Sequence, residues 1–126
     1  TVDCDVVQAD GGTRTAAITG AYVALHQALK MLVDNRILPK LPIRDAVAAI
    51  SVGLIDDELL LDLCYEEDSR AGTDMNVVMN SVNEYIEVQA TAEKQLFSGT
   101  QLQDLLSLAN KGIRQLMGLQ KEIITL

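Results

Sequence analysis

The chain has 126 residues, 48% of them hydrophobic and only 3% aromatic, with a formal charge of -8. So few aromatics count against a stacking platform for single-stranded nucleic acid, and so acidic a balance counts against a phosphate-backbone binder or an anionic membrane partner. The apolar share is too high for disorder and suits one core of Val, Ile, Leu, Ala and Met in a single domain over residues 1–126.

Val2, Cys4 and Val6 alternate with Asp3 and Asp5, the period of a half-buried strand. Gly11-Gly12 then makes a turn, Thr13 suits an N-cap, and Ile18, Tyr22, Leu25, Leu29 and Leu32 place a helix over 14–34. Pro39 and Pro42 mark a loop. Residues 46–54 read as an apolar strand, Asp56-Asp57 as a turn, and Glu58 to Tyr65 as a second strand. An acidic loop follows, then a strand over 75–79, a turn at Asn83 and an alternating strand over 85–91. Leu102, Leu105, Leu106, Ala109, Ile113, Leu116, Met117 and Ile123 set a second amphipathic helix reaching about Ile124. This order implies an α+β domain with two helices packed on a mixed, mainly antiparallel sheet.

Cys4 and Cys64 match no metal or disulfide spacing, and read as free, buried thiols of a cytoplasmic protein. His26 reads as an exposed helix residue, and Met31, Met75, Met79 and Met117 as core filler. No continuous apolar run reaches the about 18 residues of a membrane span, and no signal peptide opens the chain. The alternating pattern begins directly at Thr1, which reads as a fragment of something longer.

Two segments could carry chemistry. At Gly11-Gly12-Thr13-Arg14-Thr15 a strand-like stretch turns into a helix, whose first amides lack internal partners at the positive end of its dipole. With glycines, hydroxyls and a guanidinium, such a turn suits phosphate. It matches neither a P-loop nor a dinucleotide fingerprint, and an ordinary turn with an exposed Arg fits the same residues. Glu66, Glu67, Asp68 and Asp74 cluster further on. Two carboxylates among them could bind Mg²⁺, which needs few protein ligands. A solvated acidic loop fits that pattern as well.

The stretches "DCDVVQADGGTRTAAITGAYVAL", "DLCYEEDSRAGTDMNVVM" and "IEVQATAE" closely resemble the ribonuclease PH family, and the likeness covers essentially the whole chain. The resemblance implies the C-terminal half of a longer enzyme with a ribonuclease PH-like, ribosomal protein S5 domain 2-like fold. It implies phosphate-dependent 3′→5′ exoribonuclease activity that trims tRNA 3′ ends and releases nucleoside diphosphates. Gly12, Thr13 and Arg14 fall on the family's phosphate-binding segment, and Asp68 and Asp74 on its catalytic, metal-linked aspartates. Inorganic phosphate is then the co-substrate and Mg²⁺ the cofactor. The implied partners are RNA, the enzyme's own N-terminal half and a hexameric ring of dimers. The rival readings are a non-catalytic, exosome-like structural subunit and a half that is inactive alone. Ala90 stands where the family usually has Gly, Lys94 lies near another family Gly, and Cys64 replaces a common acidic residue.

Overall fold

Residues 1–125 are described by the structure, a computed structural model. The apolar run Val47–Ile55 forms β1, at the heart of a sheet with β2 (Glu58–Leu61), β3 (Thr73–Asn80) and β4 (Tyr85–Ala92). The order is β2-β1-β3-β4, and each pairing is antiparallel. Asp56 and Asp57 take positive φ of 49° and 66°, and Asn83 takes 66°. Left-handed residues of this kind let tight turns follow the twist of the flanking strands. Three helices complete the domain: α1 (Thr13–Asp34), α2 (Tyr65–Arg70) and α3 (Gly99–Thr125).

Side chains alternate across a strand, so one register fixes one face. Val52, Ile50 and Ala48 of β1 lie opposite Met75, Val77 and Met79 of β3. Against that face α3 lays Leu105, Ala109 and Ile113, spaced four residues apart, and this set forms the buried core. Gly112 allows the close approach: a Cβ there would stand 2.7 Å from Ile50 Cδ1.

β2 pairs only with Val52–Ile55, which leaves the earlier part of β1 without a strand on that side. There α1 takes over. The Thr19 hydroxyl accepts from the Ala49 N–H and donates to the Ala49 carbonyl, each at 3.0 Å. Gln120 of α3 donates to both Thr19 O and Val47 O at 2.9 Å. Polar side chains therefore satisfy backbone groups that a missing strand would leave unpaired.

The α+β class and both long helices agree with the sequence reading, and several local expectations do not. Residues 2–6 form no strand; Val2 and Val6 are exposed, and no described strand pairs with them. Alternation gives a strand only where a partner supplies the hydrogen bonds. The strand expected over 58–65 ends at Leu61, where Asp62 turns to a φ of 59°. The following acidic residues coil into α2 rather than a loop, closed by a capping box between Cys64 and Glu67. Cys64 is thus an exposed cap, and Cys4 is exposed too; both thiols are free. Met31 is exposed, so it is not core. His26 is half-buried against Tyr22 at 6.1 Å between ring centroids. By length and composition α1 could cross a membrane, which a search for continuous apolar runs passes over, but its bonds to β1 tie it to the sheet.

Candidate functional site

Gly12, rather than Thr13, is the N-cap of α1, with φ 68° in the left-handed region that glycine tolerates. Gly11 is glycine for a different reason: a Cβ there would collide with the Leu63 carbonyl. The turn thus lies flat against the backbone that leads into α2. Asp10 fastens it there. Its Oδ1 accepts from the Gly11 N–H at 2.7 Å and from the Tyr65 N–H, the first residue of α2, at 2.6 Å. Those bonds, Gly11's foremost, hold the Asp10 carboxyl below its ordinary range. The Thr13 hydroxyl donates to Asp10 O and the Thr15 hydroxyl to Gly12 O. No side chain caps the start of α1; its first amides and the helix dipole face the turn, where the Asp10 carboxylate is engaged by the Gly11 and Tyr65 amides.

Arg14 is exposed and points to β4. Its Nη2 donates to Glu87 Oε1 at 2.7 Å and Oε2 at 2.6 Å. The pairing lifts the arginine further above its ordinary value and pulls the Glu87 carboxyl below its own.

Asp68 sits in the last turn of α2 and Asp74 at the start of β3, opposite Gly53 of β1. Both are half-buried. Burial is the first cause raising the Asp74 carboxyl above its ordinary range, and the negative charges of Asp68 and Glu93 add to it. The two aspartates therefore share one neighbourhood. Asp74 also shares a sheet face with Glu87, because Glu87 pairs with Val78, four residues along β3. That spacing is about 13 Å along the strand. Arg14 must leave Glu87 to meet an anion beside Asp74.

The helix α2 is held at both ends. Glu67 accepts from the Cys64 N–H at 3.0 Å, and Lys94 Nζ donates to Ser69 O at 2.7 Å. The Gly72 carbonyl, between the two aspartates, accepts the N–H groups of Glu93, Lys94 and Gln95 at 2.9, 3.0 and 3.0 Å. Among the described residues no three His, Cys, Asp or Glu side chains gather for a metal. Two carboxylates with water and phosphate oxygens as further ligands still match what Mg²⁺ accepts.

Sequence reasoning missed three residues here: Asp10, Glu87 and Lys94. An Asp directly before Gly-Gly is a turn-former whose carboxylate seeks nearby amides, and that signal was there to use. Nothing local marks Glu87 or Lys94, whose partners are distant in sequence.

An antiparallel α+β domain with a glycine-led helix start fastened to an acidic helix matches a known class. Residues 45–112 fit the family model described as 3′ exoribonuclease family, domain 2, and the chain belongs to that family. It is 58% identical over 123 residues to the ribonuclease PH of Solibacter usitatus, covering 98% of this chain and 52% of the relative. The ribonuclease PH of Moorella thermoacetica is 55% identical over 123 residues, covering 98% and 49%. The matching part is the relatives' C-terminal half, and the chain spans about half their length. Among solved structures, rice (Oryza sativa) Rrp46 superposes with a TM-score of 0.74 at 17% identity, over 96% of this chain and 52% of that one. The Archaeoglobus fulgidus exosome with RNA bound to the active site gives 0.65 at 19% identity, over 89% and 44%. These likenesses bear out the fold.

Proposed function

We propose that the chain is the C-terminal half of a phosphate-dependent 3′→5′ exoribonuclease that trims tRNA 3′ ends in the cytoplasm. Inorganic phosphate attacks the terminal phosphodiester, and a nucleoside 5′-diphosphate leaves. One observation carries this reading: the Asp10 bridge to Tyr65 sets the Gly12 turn beside the helix that bears Asp68, which in turn stands near Asp74.

Each reactant is anionic, so their repulsion must be offset. The Gly12 and Thr13 amides at the start of α1 hold the attacking phosphate, and Arg14, released from Glu87, completes its grip. Asp68 and Asp74 would hold a Mg²⁺ ion, and that ion would supply positive charge at the scissile phosphate. In the alternative in which it is not a metal ligand, Asp74, with its raised carboxyl, would carry a proton to the leaving 3′ oxygen. No covalent intermediate is needed.

The N-terminal half seats against α1, where Met31 is exposed, and the whole enzyme forms a hexameric ring of dimers. That half brings the positive charge that a surface of -8 lacks. The test is RNA shortening by the full-length protein with and without inorganic phosphate. Shortening only with phosphate, abolished by Asp68→Asn, supports the assignment. Shortening at equal rates without phosphate contradicts it.

A further inference from the structure

Away from this site, two depressions meet along α3. One, of 510 Å³, lies between α3, α1 and the β3–β4 turn, with Tyr22, Arg114 and Lys121 among its lining. The other, of 630 Å³, lies between α3 and the start of β4, with Tyr85, Lys111 and Arg114. Arg114 lines both, so the two adjoin along the helix and are taken together as a groove.

Its charge is unlike that of the chain. Three cations and no carboxylate line these two depressions, although acidic residues outnumber basic ones 18 to 10 overall and the neighbouring depressions that share Lys111 and Tyr85 carry Asp104, Asp45 and Glu84. Lys111, Arg114 and Lys121 recur at three- and seven-residue steps, which keeps them on one stripe of the helix. The stripe spans about 15 Å. Gly118, within it, has nothing within 4 Å of where a Cβ would stand, so the groove floor is open. A tyrosine stands towards each end.

We infer that this groove binds a single-stranded stretch of RNA upstream of the 3′ end, with phosphates on Lys111, Arg114 and Lys121 and bases stacked on Tyr85 and Tyr22. Cations that track a backbone and aromatic faces that accept any base are the two elements of sequence-tolerant single-strand binding. Net charge and aromatic count, read over the whole chain, conceal both, because they are confined to one groove. The inference rests on the exoribonuclease reading for its ligand. Asp74 and Asn80 mark opposite ends of β3, about 20 Å apart, and the groove lies at the Asn80 end, by Ser81 and Asn83. Asp74 lies on the sheet face away from α3, so an RNA would need more than roughly six stacked nucleotides at 3.4 Å each to reach from one to the other. Short RNAs therefore use the reactive site without the groove.

The experiment measures binding of labelled oligoadenylates of about 16 and about 4 nucleotides to the full-length protein by fluorescence anisotropy, across a salt series. The comparison is with the combined variant Lys111→Ala, Arg114→Ala, Lys121→Ala. The expected result is about ten-fold weaker binding of the long RNA, with its log–log salt slope reduced by about 2, and unchanged binding of the short one. Tyr85→Ala should weaken the long RNA further while Tyr85→Phe should not. Equal affinity and slope for variant and unmodified protein would overturn the groove assignment. So would equal weakening of both RNAs together with a change in oligomeric mass, which would mark a protein interface. Binding is read without turnover. A failure of the groove thus leaves phosphorolysis standing, and RNA bound through the groove but never shortened would count against the reactive site alone.

Discussion

Asp74 is where stability and chemistry pull apart. Burial and two neighbouring carboxylates raise its carboxyl in the folded state. Below the unfolded value, about pH 4, it is neutral in both states and costs nothing. As pH rises past the unfolded value and through the raised folded value, the folded protein must carry a charge it disfavours, and stability falls. Asp74→Asn should therefore raise Tm at pH 7 and lose that advantage near pH 4, while abolishing RNA shortening. Thermal denaturation at both pH values checks the first part; an unchanged or lower Tm at pH 7 would place Asp74 in a stabilising network instead. Arg14 poses the complementary case. Arg14→Ala should raise the KM for phosphate on the order of ten-fold, the scale of one charge-assisted contact, with RNA binding less affected. Glu87→Gln frees the guanidinium and should lower the same KM. Steady-state rates over a phosphate series decide both, and an increase with Glu87→Gln would mean that the pair holds Arg14 in its working position.

Among the elements, β1, β3 and α3 were legible because their apolar residues are the ones that end up buried; α1 and β4 were legible from spacing alone, since α1 buries only Thr15 and β4 leaves Ile86 and Val88 exposed. Ile50, Val52, Met75 and Ile113 repeat at strand or helix spacing and end up in one core. The segments that failed lack a buried apolar face. α2 is six residues long and buries none of them, so its helix comes from the Cys64–Glu67 box, not from periodicity. Residues 2–6 show periodicity without a partner strand. In the candidate site, the turn and the acidic pair were readable as types of chemistry. Their convergence was not, because it depends on the Asp10–Tyr65 bond across 55 positions. Ile113, 1% exposed in the α3 interface, tests the load on that packing. Ile113→Ala should cost about 2–5 kcal/mol, read by urea denaturation of a preparation whose unmodified form unfolds in one step. A loss well below 1 kcal/mol would mean that α3 is held mainly by Gln120 and its two carbonyl partners.

At the scale of the molecule, half of the expected enzyme decides whether the other half works. The groups proposed to react sit on a chain of charge -8, and Met31 of α1 is exposed. The 126 residues alone should show no phosphate-dependent trimming, and adding the N-terminal half should restore it, with activity falling as salt rises. Normal rates from the chain alone would show that the positive charge of the other half is dispensable. Phosphorolysis itself is tested most directly by following oxygen. Full-length protein would be given RNA and ¹⁸O-labelled inorganic phosphate, and the released nucleotides weighed by mass spectrometry. The expected product is nucleoside diphosphate carrying the label in its β-phosphate. Nucleoside monophosphate with a solvent oxygen and no label would show that water, not phosphate, attacks, and would contradict the role given to Gly12, Thr13 and Arg14.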